Sequence, residues 1–184
     1  GACVVVSNHR SYLDPVILIA CFKRHSTIVK KDFFRVPIFG RVIRAAGYIP
    51  SEGNGKLASL LMERIEWMNA YLAGGGVLFV FPEGTRSRTG EIGPFNKGAF
   101  KIARSRSAPV EVLCITNTDR LFAPGRFLFN TCVQNRIRVK WIGRISAADS
   151  GRLPVDHLAA EARRMMEDHL DHLSGSAPDP ADRP

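Results

Sequence analysis

The chain has 184 residues and a mass of 20.3 kDa, enough for one sizeable core and too little for two ordinary domains. Hydrophobic residues at 45% and charged residues at 23% exclude wholesale disorder, and four cysteines are too few for a disulfide scaffold. Lys and Arg outnumber Asp and Glu 26 to 17, a net charge of +9 that calls for an anionic partner such as phosphate metabolites, nucleic acid or an acidic membrane face.

The β-branched run at residues 3–6 predicts a strand buried on both faces, ending in the polar loop Ser7-Asn8-His9-Arg10-Ser11. Asp14-Pro15 starts a helix through residue 22, since Pro suits a first helical turn. Residues 27–29 read as a second strand, 37–46 as a short helix broken near Gly40, and 47–50 as an extended segment. Apolar residues recur at helical spacing from Lys56 to Leu72, and Gly74-Gly75-Gly76 stops that helix. A buried strand at 77–81 empties into the loop Pro82-Glu83-Gly84-Thr85-Arg86-Ser87-Arg88. A helix at 98–105, strands at 110–115, 127–131 and 137–142, and a closing helix at 154–173 complete the pattern. This alternation predicts an α/β fold with a mainly parallel central sheet flanked by helices.

One domain is expected over residues 1–173, with a disordered Pro/Asp-rich tail at 174–184. No apolar run reaches the roughly 18 to 20 residues that would span a bilayer. Because Gly1 opens directly onto an apolar run, a natural N-terminal part is expected to precede it. Cys3, Cys21, Cys114 and Cys132 stand singly and read as reduced and mostly buried.

Two loops carry chemistry. His9 and Asp14 stand five apart across a strand-to-helix turn, where a carboxylate accepting the Nδ1 proton would leave Nε2 free to take a proton from a substrate hydroxyl. A loop histidine beside a helix cap would show the same spacing, and HxxxxD alone leaves both readings open. The second loop, Phe81 to Ser87, ends a buried strand, the usual ligand-binding edge of an open α/β sheet, and its Arg86 can hold a phosphate bidentately. Lys97 follows just before a helix, near its anion-attracting N-terminus. A solvated basic loop is the competing reading of this segment.

Taken together, Asn8-His9 to Asp14 (NHxxxxD), Phe81 to Ser87 (FPEGTRS), Lys97-Gly98-Ala99-Phe100 and Pro109-Val110 resemble the glycerolipid acyltransferases of the 1-acylglycerol-3-phosphate acyltransferase type. The resemblance covers residues 4–116, including Lys30-Lys31-Asp32 and Pro37-Ile38-Phe39-Gly40. It implies a glycerol-3-phosphate acyltransferase-like fold and transfer of a fatty acyl group from acyl-CoA or acyl carrier protein to a lysophospholipid hydroxyl, with phosphatidate as product. It further implies no metal or other cofactor, no covalent acyl-enzyme, and work on an anionic membrane surface at the cytoplasmic face, of a bacterial inner membrane type. The lack of a GxSxG elbow agrees with direct transfer. By the resemblance His9 is the general base and Asp14 its orienter. Glu83, Gly84 and Thr85 belong to the acceptor pocket, Arg86 holds the acceptor phosphate, and Lys97 assists. One position departs from the pattern: Gly53 stands where the family's second motif commonly ends in arginine, which brings another lysophospholipid or a lyso-amino-lipid into view as acceptor.

Other features admit structural readings. Phe33, Phe34, Ile38 and Phe39 interleave with Lys30, Lys31, Arg35, Arg41 and Arg44, which suits either insertion among anionic headgroups or core aromatics under a solvated basic face. Trp67 and Trp141 are expected to be partly buried in the core, with interfacial anchoring as the alternative, Met165 and Met166 to pack the core, and His157, His169 and His172 to lie on the surface. Arg136, Arg138 and Lys140 would serve a basic nucleic-acid-binding domain, but no RNP, KH or helix-turn-helix pattern accompanies them, so no nucleic acid partner is expected. A non-catalytic lipid-binding module is the remaining alternative.

Overall fold

The computed structural model describes residues 2–52, 56–122, 130 and 134–175. Gly53, Cys132, residues 176–184 and all but Asn130 of the strand expected at 127–131 lie outside them.

Strand β1 (Cys3–Ser7) is followed by helix α1 (Leu13–Cys21), strand β2 (His25–Val29), a 3-10 helix (Lys31–Arg35), α2 (Phe39–Ala45) and the two-residue β3 (Ile49–Pro50). Then come α3 (Lys56–Ala73), β4 (Val77–Val80), α4 (Gly98–Arg106), β5 (Val110–Thr116), α5 (Thr118–Leu121), β6 (Arg138–Ile145), α6 (Ala147–Arg152) and α7 (Val155–Gly175). The 3-10 helix, α5 and α6 are too short for periodicity to announce them. Ser174, placed by sequence in a disordered tail, instead closes the last turn of α7, its hydroxyl donating to the Leu170 carbonyl.

The six described strands form one sheet in the order β3-β2-β4-β1-β5-β6, parallel except for the antiparallel β5–β6 pair. The side chains of β1 alternate between two cores, as a strand covered on both faces requires. Val4 and Val6 join Leu78, Val110, Phe100, Leu158 and Met166 on one side, while Cys3 and Val5 join Phe79, Ile115 and Leu18 on the other. Met166 is fully buried and Met165 packs beside it.

Burial corrects the expectation for Trp141 and divides the cysteines and the aromatic segment residue by residue. Trp141 is 58% exposed because β6 is an edge strand with a single neighbour, and its indole N–H reaches Glu111 instead of the core. Trp67, by contrast, is partly buried against the main core. Cys21 ends α1 in solvent, whereas Cys3 and Cys114 are buried, with the Cys114 thiol pushed up to about 11 by burial. Phe34 separates from its neighbours: it sits with Ile43 in a small core of its own, while Phe33, Ile38 and Phe39 are exposed.

Candidate active site

In the sheet β1 lies between β4 and β5, so the loops leaving the parallel strands β1 and β4 emerge side by side at one edge. That adjacency brings together two sequence motifs more than seventy residues apart.

Beyond Ser7 the chain leaves the sheet, and Asn8 anchors the departure. Its side-chain amide donates to the Ile115 carbonyl at 2.8 Å, and its oxygen accepts the Ile115 N–H at 2.7 Å. His9 follows at the rim, 15% exposed, its ring stacked on Phe81 with centroids 4.3 Å apart.

Asp14, in the first turn of α1, is fully buried. A single oxygen, Oδ2, receives the His9 Nδ1 at 2.9 Å and the backbone N–H groups of Arg10 at 2.6 Å and Ser11 at 2.7 Å. A carboxylate oxygen that already accepts two N–H groups can only accept from the ring, so Nδ1 carries a proton and it is Nε2 that presents the lone pair of the neutral ring. The five-residue spacing is thereby closed into a hydrogen-bonded histidine–carboxylate pair.

The second loop grips His9 by both backbone groups. Its N–H donates to Glu83 Oε1 at 3.0 Å, and its carbonyl accepts the Ser87 N–H at 2.8 Å. Glu83 Oε2 accepts the Gly93 N–H at 3.1 Å. Burial pushes the Glu83 carboxyl above its ordinary value, against the pull of its two backbone donors and of His9. Both of its oxygens are thus engaged by the protein's own backbone. Gly84 adopts φ +67°, a conformation that strains any residue with a side chain, and a Cβ there would lie 2.7 Å from the Asn96 amide nitrogen and displace it. Gly84 and Thr85 are exposed beside it.

Arg86 is half-buried, with its guanidinium carbon 3.4 Å from the centroid of the Tyr12 ring. Its Nη1 is buried without a hydrogen-bond partner. Lys97 turns elsewhere: its ammonium pairs with Asp156 of α7 at 2.6 Å, and no described contact joins it to His9, Asp14, Glu83 or Arg86.

A sequence model for the description "Acyltransferase" matches residues 1–116, which contain His9, Tyr12, Asp14, Glu83, Arg86 and Lys97. The chain belongs to the Acyltransferase family. Among relatives of this acyltransferase-family chain, a chloroplastic 1-acyl-sn-glycerol-3-phosphate acyltransferase of Brassica napus is 32% identical over 67% of the chain. The enzyme of that name in Saccharomyces cerevisiae is 30% identical over 94% of the chain. The chain spans 35% of the Brassica protein's length and 57% of the yeast protein's. The crystal structure of the 1-acyl-sn-glycerophosphate acyltransferase from Thermotoga maritima shares the fold, with a TM-score of 0.71 and 23% identity, covering 96% of this chain and 68% of that one.

Sequence reasoning singled out neither Tyr12 nor the Glu83 tie to the His9 backbone. Tyr12 lies inside the NHxxxxD span, but no spacing rule says that its ring will face an arginine from another strand's loop. The basic, aromatic segment also shows a feature that composition could not. Ile38 has φ 66° and ψ −62°, with the Phe39 N–H donating to the Pro37 carbonyl at 2.7 Å, a γ-turn of the rare positive-φ kind. Ile38 is 76% exposed at this strained turn.

Proposed function

We propose that this acyltransferase-family chain moves a fatty acyl group from acyl-CoA or acyl carrier protein to the free hydroxyl of 1-acylglycerol-3-phosphate, giving phosphatidate. The observation that carries the reading is the His9–Asp14 pair, with Nδ1 tied down and Nε2 free. His9 Nε2 takes the acceptor's hydroxyl proton as its oxygen attacks the thioester carbonyl. Asp14 holds the ring and stabilises the imidazolium that forms. Collapse of the tetrahedral intermediate breaks the C–S bond, and the departing thiolate takes the proton back from His9. The chain's own residues meet every proton transfer, so the reading calls for no metal or other cofactor.

Arg86 receives the acceptor phosphate, with Gly84 and Thr85 bordering it. Glu83 acts indirectly, by fixing the backbone of His9. The names of the relatives support this acceptor, while Gly53 in place of arginine favours a second reading in which another lysolipid is acylated.

The acceptor is a lipid, and no helix among the described residues is long and apolar enough to cross a membrane. The reading therefore gives contact with anionic headgroups, at the cytoplasmic face, to the exposed Phe33, Val36, Ile38, Phe39 and Val42, bordered by Lys30, Arg35 and Arg41. Incubation of the full-length protein with labelled acyl-CoA or acyl carrier protein and a panel of lysolipids tests the whole proposal. Phosphatidate as the main product is expected; a diacyl product from another lysolipid alone would establish the second reading, and no acylation of any acceptor would overturn both.

A further inference from the structure

Arg86 is held by its face and not by its edges. The Tyr12 ring lies against the guanidinium plane at 3.4 Å, and among the described residues no carboxylate pairs with this arginine. A guanidinium carries its five N–H groups in its plane, so stacking leaves the donor edges free and the charge unneutralised. A carboxylate partner would have consumed both.

Tyr12 is 52% exposed and is backed on one side by a second ring. It occupies the N-cap of α1, between His9 and Asp14, and its ring leans on Phe122 with centroids 5.5 Å apart. The Ser11 hydroxyl donates to the Phe122 carbonyl at 2.8 Å, so the residue before Tyr12 is tied by its side chain to the backbone of the same phenylalanine. The next residue after Arg86, Ser87, donates its N–H to the His9 carbonyl, which keeps the stacked arginine beside the base.

We propose that Tyr12 is a positioning and specificity-determining residue: by stacking on Arg86 it maintains an unneutralised, planar receptor for a phosphomonoester next to His9. The inference rests on the reading above that Arg86 meets the acceptor phosphate. A phosphomonoester offers terminal oxygens for two parallel N–H bonds, whereas the phosphodiester of a choline lysolipid carries less charge and a bulky substituent. Tyr12 would thus favour the monoester through binding and not through the chemical step.

The test compares full-length wild type with Tyr12→Phe, Tyr12→Leu and Tyr12→Met, the last covering the case in which the leucine variant does not fold by circular dichroism. Glycerol 3-phosphate binding is measured by calorimetry, and acylation of lysophosphatidate and of lysophosphatidylcholine is measured in parallel. Tyr12→Leu and Tyr12→Met are expected to weaken glycerol 3-phosphate binding and raise KM for lysophosphatidate by about 3- to 30-fold, the range of a cation–π contact, with kcat held within about twofold. Tyr12→Phe, which keeps the ring face, is expected to restore both to within about twofold. An equal loss on both lysolipids, an unchanged glycerol 3-phosphate affinity in the Leu and Met variants, or a wild type that does not bind glycerol 3-phosphate would each overturn the inference. A wild type that binds glycerol 3-phosphate yet acylates no lysolipid would instead overturn the proposed function, and the binding series alone would then decide the role of Tyr12.

Discussion

Glu83 accepts the backbone N–H of His9 at 3.0 Å across 74 residues of chain, joining the loops that leave β1 and β4. Truncation in Glu83→Ala leaves the His9 and Gly93 N–H groups without this partner, at a cost of about 1–3 kcal/mol for each such group that stays dry. Acyl transfer should fall with it, because the base loses its backbone anchor. Urea unfolding together with initial rates checks both effects; full stability with full activity would mean that other groups or water replace the carboxylate without loss.

The same carboxyl makes a prediction about pH. Its folded pKa lies above the ordinary 4.5, so the native state holds this proton more tightly than the unfolded chain does. The stability it contributes is fully present below 4.5 and is lost as pH rises through the folded value. Glu83→Gln removes this dependence, so the stability of the variant relative to wild type should improve as pH rises above 4.5 through the folded value. Parallel stability curves across that range would show that the carboxyl titrates alike in both states.

His9→Ala should abolish the proton transfer and Asp14→Asn should misplace it, each lowering turnover by on the order of 10²-fold or more. Asp14→Asn should also lower stability, because its Oδ2 receives the Arg10 and Ser11 N–H groups in the buried turn. Rates and circular dichroism are measured together. A folded His9→Ala enzyme working at nearly the wild-type rate would sink the mechanism.

Arg86→Ala is expected to lower kcat/KM for lysophosphatidate by about 10- to 100-fold, the worth of a hydrogen bond to a charged group. Arg86→Lys should recover only part of it, since a point charge cannot reproduce the planar fork. An equal loss on an acceptor lacking a phosphomonoester would make Arg86 a structural residue of its loop.

Ile38→Gly separates stability from membrane affinity. Glycine accepts the positive φ that strains isoleucine, so the variant should gain about 1 kcal/mol of stability. Loss of the exposed side chain should weaken binding to anionic vesicles by about tenfold, and added salt should weaken the binding of both proteins. Co-sedimentation across a salt series reads this out. Equal wild-type binding to neutral and anionic vesicles would show that Lys30, Arg35 and Arg41 form only a solvated face.

What could be read directly from the residues was local. The alternating core of β1, the helical repeat of α3 and the five-residue reach from His9 to Asp14 all follow from spacing along a short stretch of chain, where backbone geometry leaves few alternatives. The closing helix α7 and the mainly parallel sheet were legible for the same reason. Tertiary structure alone decided which loops became neighbours. Insertion of β1 between β4 and β5 set Glu83 and Ser87 on the backbone of His9 and the Tyr12 ring against Arg86, while Lys97 was drawn to Asp156. It also decided which of two adjacent phenylalanines faces inward, since Phe34 fills the small core with Ile43 and Phe33 meets Phe39 at the surface. Composition treats Phe33 and Phe34 alike; only packing against residues distant in the chain distinguishes them.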